Sequence, residues 1–488
     1  MKKLRYIVIA SLFTGLLTTS SCKKFFDINT NPDAVVSAPI EQQLSSLTVN
    51  VGFYAGSDMD RFSSIIAQQF SGQSTGAQNQ TQDYEKYLIQ GSDANNAWGT
   101  MYATILNDAQ NIIVKATAEG SPHYSGVAKI LKAYAYQVTV DFYGDVPYSE
   151  TQQLTLNTQA KYDSAEQIYT SLIAVLNEGI AEVNATASNK SPGENSTIFP
   201  GEFSDTKTNW VKFANTLKLR LFLHYSEKDP AFAKAQIDQL INSGALFLDG
   251  NEDNFQMTFG VVAASQNPID QYQNARVGYL VANNNLVSLM NGKADPRRPF
   301  YFTQYPAGSG QYLGSIGGAS PSQNYSKFNT YLRGALASDG SYAGNAPIRM
   351  LTFAEYNFIR AEAALRFASP GVAQAFYTAG ITASMEDAGV ASGAITTYLA
   401  ANGILTGTPA QQLEQIINEK YVANYAVIVE PWTDWRRTGY PASIVPPSNA
   451  VVQFVPRSLY YPQSEIDLNP NAKQKSGLNT RIFWDTRQ

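Results

Sequence analysis

The chain has 488 residues, a formal charge of −5, and a composition that is 44% hydrophobic but only 15% charged. That supports a large buried core, and a mildly acidic balance without clustered Lys and Arg argues against nucleic acid as a partner. A single cysteine excludes disulfide bracing, and with only two histidines the chain has little general-base machinery to offer.

The N-terminus reads Lys2, Lys3 and Arg5, then an apolar run over 6–17, then Thr-Thr-Ser-Ser-Cys22. This is the layout of a secretory signal over 1–21, cleaved to leave Cys22 at the head of the mature protein. The run is too short to span a bilayer. A terminal cysteine can take a diacylglyceryl thioether and a further acyl chain on its amino group, which together suffice for stable anchoring. Ser20 and Ser21 fit a bacterial lipobox, whereas Thr19 stands where leucine is commonest. The alternative is an ordinary signal cleaved elsewhere, with Cys22 a buried thiol.

Beyond the signal, helical periodicity dominates. Trp98, Tyr102, Ile105, Ala109, Ile112 and Ala116 alternate spacings of four and three, one face of a helix, so Trp98 reads as packing. After a break at Ser121-Pro122 the pattern resumes with Leu131, Ala135, Val138 and Phe142, and returns in Ile168, Leu172, Val175, Leu176, Gly179, Ile180 and Val183. The run over 210–225 is apolar nearly all round and is predicted to be buried. Ala354, Phe358, Ala361 and Leu365 mark another helix, and a further one is predicted over 411–429, ending before Pro431. No comparable segment alternates as a strand does. The expected fold is mainly α, built of helix pairs, with long irregular regions at 250–347 and 431–488 that are rich in Gly, Asn, Gln, Ser, Tyr and Pro.

Six segments in order carry a resemblance. They are Cys22-Lys-Lys-Phe-Phe-Asp-Ile-Asn-Thr-Asn-Pro-Asp33, Leu131-Lys-Ala-Tyr-Ala-Tyr136 with Phe142-Tyr-Gly-Asp-Val-Pro-Tyr148, Trp210-Val-Lys-Phe-Ala-Asn-Thr-Leu-Lys-Leu-Arg220, Phe358-Ile-Arg-Ala-Glu-Ala363, Trp432-Thr-Asp-Trp-Arg-Arg-Thr-Gly439 and Pro456-Arg-Ser-Leu-Tyr-Tyr-Pro462. Together they resemble the SusD/RagB family of outer-membrane lipoproteins. The resemblance implies a tetratricopeptide-like helical scaffold with an irregular half packed on it, a single unit over 22–488. It implies a lipid anchor at Cys22, display at the outer membrane, and a SusC-like TonB-dependent transporter as partner. The ligand would be an oligosaccharide, or in some relatives a peptide. On this reading Tyr143-Gly-Asp145 and Trp435-Arg-Arg437 hold the scaffold.

Little in the chain points to catalysis. His123 and His224 read as solvated or core histidines. Glu355 and Glu362, separated by about 10 Å along one helix, have the spacing of a glycosidase pair. Arg360 and Arg366 offer the alternative of intrahelical ion pairs. Asp27, Asn29 and Asn31 start like an EF-hand, but Pro32 and Ala38 occupy the glycine and glutamate positions, so no metal is expected. The glycine-rich stretch 308–314 lacks the Lys-Ser/Thr of a phosphate loop, and no cofactor is expected.

What remains is binding. With 29 Tyr, 24 Phe and 5 Trp, the chain can present aromatic faces to sugar rings, flanked by amides. Two stretches have that composition. One is 73–84, with Gln73, Asn79, Gln80, Gln82 and Tyr84; the other is 271–331, with Tyr272, Asn274, Arg276, Tyr301, Tyr305, Tyr312 and Tyr325. The alternative for each tyrosine is packing of the irregular half on the helices.

Overall fold

The computed structural model describes residues 38–74, 76–151 and 157–487. The chain begins with α1 (Ile40–Ala55), α2 (Asp58–Ile66), strand β1 (Phe70–Gly72) and α3 (Gln80–Glu85). The periodic stretch from Trp98 is not one uniform helix. It runs through α4 (Asn95–Gly99), a π-helical segment Thr100–Ile105, and α5 (Leu106–Ala118). Next come α6 (Pro122–Tyr143), β2 (Val146–Pro147), β3 (Tyr162–Asp163), α7 (Ala165–Val183), α8 (Phe203–His224) and α9 (Pro230–Asn242). Pro122 stands in the first turn of α6, where its missing N–H costs nothing, which is why the pattern breaks at Ser121-Pro122 and resumes.

The region 250–347 is broken by short elements: β4 (Phe255–Met257), α10 (Pro268–Ala275), β5 (Leu280–Ala282), α11 (Asn284–Gly292), α12 (Arg298–Tyr301) and α13 (Thr330–Arg333). Then follow β6 (Ile348–Leu351), α14 (Phe353–Phe367), α15 (Ala373–Asp387), α16 (Ser392–Asn402), α17 (Pro409–Ala423), α18 (Glu430–Thr438) and α19 (Gln463–Leu468). The helix predicted over 411–429 therefore stops at Ala423. Ala426 and Val429 have φ of 58° and 65°, and these left-handed residues turn the chain so that Pro431 starts α18 instead of following a helix.

Successive helices pack as neighbours: α5 on α6, α6 on α7, α7 on α8 and α8 on α9, then α14 on α15, with α17 against both. Short connections make helical hairpins of α5 with α6, α8 with α9 and α14 with α15, while longer ones lead from α6 to α7 and from α7 to α8, and the packed pairs give the expected tetratricopeptide-like scaffold. Every residue over 210–225 except Lys212 is buried, since α8 lies between α7, α9 and α14. The only β structure among the described residues is three antiparallel two-stranded ribbons (β1 with β5, β2 with β3, β4 with β6) and a few isolated bridges. One hydrophobic cluster extends from Ile40 to Trp484.

Polar residues cross this core in a connected set. Arg220 on α8 donates to both oxygens of Glu355 on α14, at 2.9 and 2.7 Å. Lys420 meets Asp434 at 2.9 Å, and Arg437 meets Asp434 and Glu362, each at 2.8 Å. His224 faces Glu430 at 3.3 Å and Tyr169 at 2.9 Å, and Tyr169 donates to Asp141. Trp484 closes the set by donating to Asp141 at 3.0 Å. Burial would raise the Glu430 carboxyl, but the nearby charges of Arg220 and His224 hold it below the usual range. Arg436 is sandwiched over Trp432 at 3.8 Å and Trp484 at 4.7 Å, and Tyr461 donates to the Asp145 carbonyl at 2.6 Å. The Trp435-Arg-Arg437 and Tyr143-Gly-Asp145 segments are thus fastenings between scaffold and C-terminal region.

Candidate functional site

The antiparallel ribbon of β1 and β5 decides where the site lies. It pairs Phe70 with Ala282, Ser71 with Val281 and Gly72 with Leu280, joining segments about two hundred residues apart. Beyond the ribbon, Gln73 N donates to Tyr279 O at 2.8 Å and Thr81 Oγ1 to the same oxygen at 2.6 Å. The two aromatic, amide-rich stretches of the sequence therefore face each other. Gly56 sets the third wall: a Cβ there would come within 2.6 Å of Ile348 and 2.9 Å of Pro268, so its absence lets the α1–α2 turn press against the start of α10.

Between these walls lies an open cleft of about 690 Å3. Phe53 and Tyr54 of α1, Arg61 of α2, Gln80 and Tyr84 of α3, Asp93 and Asn96, and Gln271 and Tyr272 of α10 line it, together with Arg276 and Tyr279. The Arg61 guanidinium lies 4.0 Å over the Tyr272 ring and pairs with Asp58. Tyr84 packs on Phe62 with ring centroids 4.5 Å apart. Burial raises the Tyr84 hydroxyl, and Asp93 raises it further, so it stays a neutral donor. Burial also raises Tyr272, against the opposing charges of Arg61 and Arg276, and burial lowers Arg61. Phe53 keeps 39% of its surface exposed, an apolar face open to the cleft. The chemistry on offer is flat aromatic surface beside phenol, amide, guanidinium and carboxylate groups.

The sequence candidates divide on this geometry. Tyr84, Tyr272 and Arg276 line the cleft, as does Gln80. Asn79 and Gln82 instead close a capping box on α3: Asn79 Oδ1 accepts from Thr81 N at 3.0 Å, and Asn79 N donates to Gln82 Oε1 at 3.3 Å. Gln73 is buried, with Nε2 on Ser315 Oγ at 2.8 Å and Oε1 accepting from Ser322 N at 2.9 Å, a brace between two loops. Asn274 lies outside the cleft, bonded to Asp270 at 2.8 Å and accepting from Arg333 at 2.7 Å. Tyr301 has no exposed surface. Its ring stacks against Tyr425 at 4.8 Å and its hydroxyl reaches Val422 O at 3.2 Å, which corrects it to a core residue. Tyr305 and Tyr312 are half-buried elsewhere, Tyr312 under Arg298 at 5.4 Å.

Glu355 and Glu362 are both fully buried in the charge network, closed off from any substrate. Arg366 pairs with Glu362 at 3.1 Å as expected, but Arg360 bonds Tyr356 and the Pro370 carbonyl instead. Asp141, His224 and Glu430 offer metal-ligand atoms within 4.8 Å of one another, yet each is engaged in the buried hydrogen bonds described above. Phe53, Arg61, Asp93 and Tyr279 are cleft residues that sequence reasoning passed over, since they lie in or beside helices without a motif. Cys22 and the Asp27, Asn29, Asn31 triplet lie outside the described residues. No described helix is long and apolar enough to cross a membrane.

A helical-hairpin scaffold that carries an aromatic, polar-rimmed cleft on an irregular face defines a class of ligand-binding proteins. The family model SusD-like_2, described as starch-binding associating with outer membrane, matches residues 36–462, and the chain belongs to this family. Among solved structures it is similar to a chitin-binding protein at 25% identity, with a TM-score of 0.78, over 92% of this chain and 100% of that one. A SusD-like protein from Bacteroides thetaiotaomicron matches at 23% identity with a TM-score of 0.77, covering 92% and 99% of the two chains. A chitin-binding SusD homolog from Flavobacterium johnsoniae matches at 22% with a TM-score of 0.74, covering 92% and 98%. A search of curated proteins returned no significant match.

Proposed function

We propose that this protein is a lipid-anchored, surface-exposed binding protein that captures an oligosaccharide in the cleft between α2, α3 and α10. It would pass the ligand to a SusC-like TonB-dependent transporter in the outer membrane without breaking any bond. One observation carries the reading: Tyr84, Tyr272, Tyr279 and Phe53, from segments far apart in sequence, converge with Gln80, Asn96, Gln271 and Arg276 on one open cleft. Sugar rings have apolar faces and hydroxyl rims, which such a surface complements. The family description and the names of two similar structures, both chitin-binding, support a carbohydrate ligand. The signal over 1–21 and Cys22 support the anchor.

Isothermal titration against a panel of neutral oligosaccharides, with peptides alongside, tests the ligand class. Covering one ring face removes roughly 80 Å2 of apolar area, about 2 kcal/mol before the costs of association, and two or three such faces together with hydrogen bonds to the hydroxyls give an expected affinity of roughly millimolar to high-micromolar. Binding of peptides and no glycan would replace the carbohydrate reading. Turnover of any glycan by the isolated protein would overturn the passive role.

A further inference from the structure

Two clefts flank one helical segment. Asn96, Ala97 and Thr100 look into the cleft just described, whereas Trp98, Tyr102 and Ala103 line a second one of about 450 Å3. We propose that the second cleft is an additional sugar-binding subsite that takes one or two neutral pyranose rings, and that it acts independently of the first.

Its wall is aromatic. The rings of Trp98 and Tyr102 overlap, 4.5 Å apart and inclined by 35°; Trp98, 7% exposed, presents only its rim, and half-buried Tyr102 presents the larger surface. Both are held in place beforehand: Tyr102 donates to the Pro147 carbonyl at 2.9 Å, and Trp98 meets the Tyr143 ring edge-on at 5.2 Å. A wall that does not have to reorganise loses little free energy on binding. The π-helical segment Thr100–Ile105 accounts for the placement of Tyr102. In a regular helix Tyr102 would share the buried face of Ile105 and Ala109, which are 1% and 0% exposed; in the wider turn it is half-buried and reaches the cleft.

Polar groups face this wall. The Asn107 side chain lines the cleft and makes no hydrogen bond to another described residue, so its amide can offer a donor and an acceptor to a ligand. Glu465 uses one oxygen, which accepts from Asn469 Nδ2 at 2.8 Å and from the Tyr162 hydroxyl at 3.3 Å. Its other oxygen has no donor among the described residues and lies ready for a hydroxyl. A purely apolar ligand would leave Asn107 and Glu465 without partners, and an anionic one would be repelled by Glu465. A neutral sugar, with an apolar ring face and a rim of hydroxyls, satisfies both.

The test uses the mature chain labelled with 5-fluorotryptophan and 19F NMR. Of the five tryptophans only Trp98 lines this cleft; Trp210, Trp432 and Trp484 are fully buried elsewhere and Trp435 packs under Arg457 and Arg487, so Trp98 is the tryptophan that reports on it. Its resonance is assigned with Trp98→Phe, and cellotetraose, maltotetraose and tetra-N-acetylchitotetraose are then titrated into the protein. The expected result is a saturable shift of the Trp98 signal at millimolar sugar. That shift should survive Ala275→Trp, which fills the first cleft, and vanish in Ala103→Trp, which fills the second from an exposed position. A Trp98 signal unmoved by all three sugars overturns the proposal, as does a shift that persists in Ala103→Trp. Calorimetric binding that is abolished by Ala275→Trp while Trp98 stays silent would defeat the second subsite and leave the first cleft standing.

Discussion

Glu362 is the most direct test of the charge network. It has no exposed surface, and Arg437 donates to its two oxygens at 2.8 and 2.9 Å while Arg366 adds a third contact at 3.1 Å. Burial alone would raise its carboxyl, but the charge and hydrogen bonds of Arg437, followed by Arg366 and Lys420, bring it from 4.5 down to about 2. That difference corresponds to about 3 kcal/mol of stability at neutral pH. Breaking one side of a buried ion pair costs about 3–5 kcal/mol by an independent route, so the two magnitudes agree. Because the folded value is the lower one, the contribution is complete above pH 4.5 and is lost as pH falls through about 2. Glu362→Gln keeps the shape but leaves Arg437 with Asp434 and Ser226. Urea unfolding of both proteins at neutral pH, and in steps down to about pH 3, should show a gap of about 3 kcal/mol that narrows below pH 4.5. A gap under about 1 kcal/mol at neutral pH, or one constant through the acid range, would refute the reasoning.

Tyr272→Ala should weaken oligosaccharide binding about 30-fold, matching about 2 kcal/mol of lost ring contact, with a smaller loss of stability of about 1 kcal/mol from the Arg61 contact; calorimetry and thermal melts read the two effects separately. Tyr301→Ala should do the opposite, costing about 3–5 kcal/mol of stability by opening a cavity against Tyr425 and Tyr331. A selective loss of affinity with normal stability would return Tyr301 to the site. Asn79→Ala removes the cap of α3 and should cost about 1 kcal/mol, which urea midpoints can resolve. Cys22→Ser should abolish incorporation of labelled palmitate and release the protein from membranes; retention on membranes would remove the anchor.

Long helices with one apolar face were legible from the sequence: α6 buries every residue that its spacing selected, and α7, α8 and α14 bury most of theirs, while Val175, Ile180 and Leu365 stay half-buried at the margins of their stripes. The end of α17 was not legible, because nothing in the residue types at Ala426 and Val429 announces a left-handed turn. Tyr272 and Tyr301 looked alike in sequence. Which of them faces the cleft depends on the β1–β5 ribbon, a pairing of three residues on each side that carries no pattern of its own. The helix bearing Tyr272 did leave a trace: Asn267 caps it, accepting from Asp270 N at 2.8 Å, and Pro268 occupies its first turn. Likewise Asn79 and Gln82 carry the spacing of a capping box, a more local use of two amides than ligand binding.

The bond from Trp484 to Asp141 spans 343 positions, and the contact of His224 with Glu430 spans 206. Such distant partners mean that the middle of the scaffold cannot seal while the chain is still being made. Until its tail arrives, the charges on the central helices face water, and the polypeptide remains loose enough to thread. Under the export proposed from the signal over 1–21, that delay would keep the chain fit for transit.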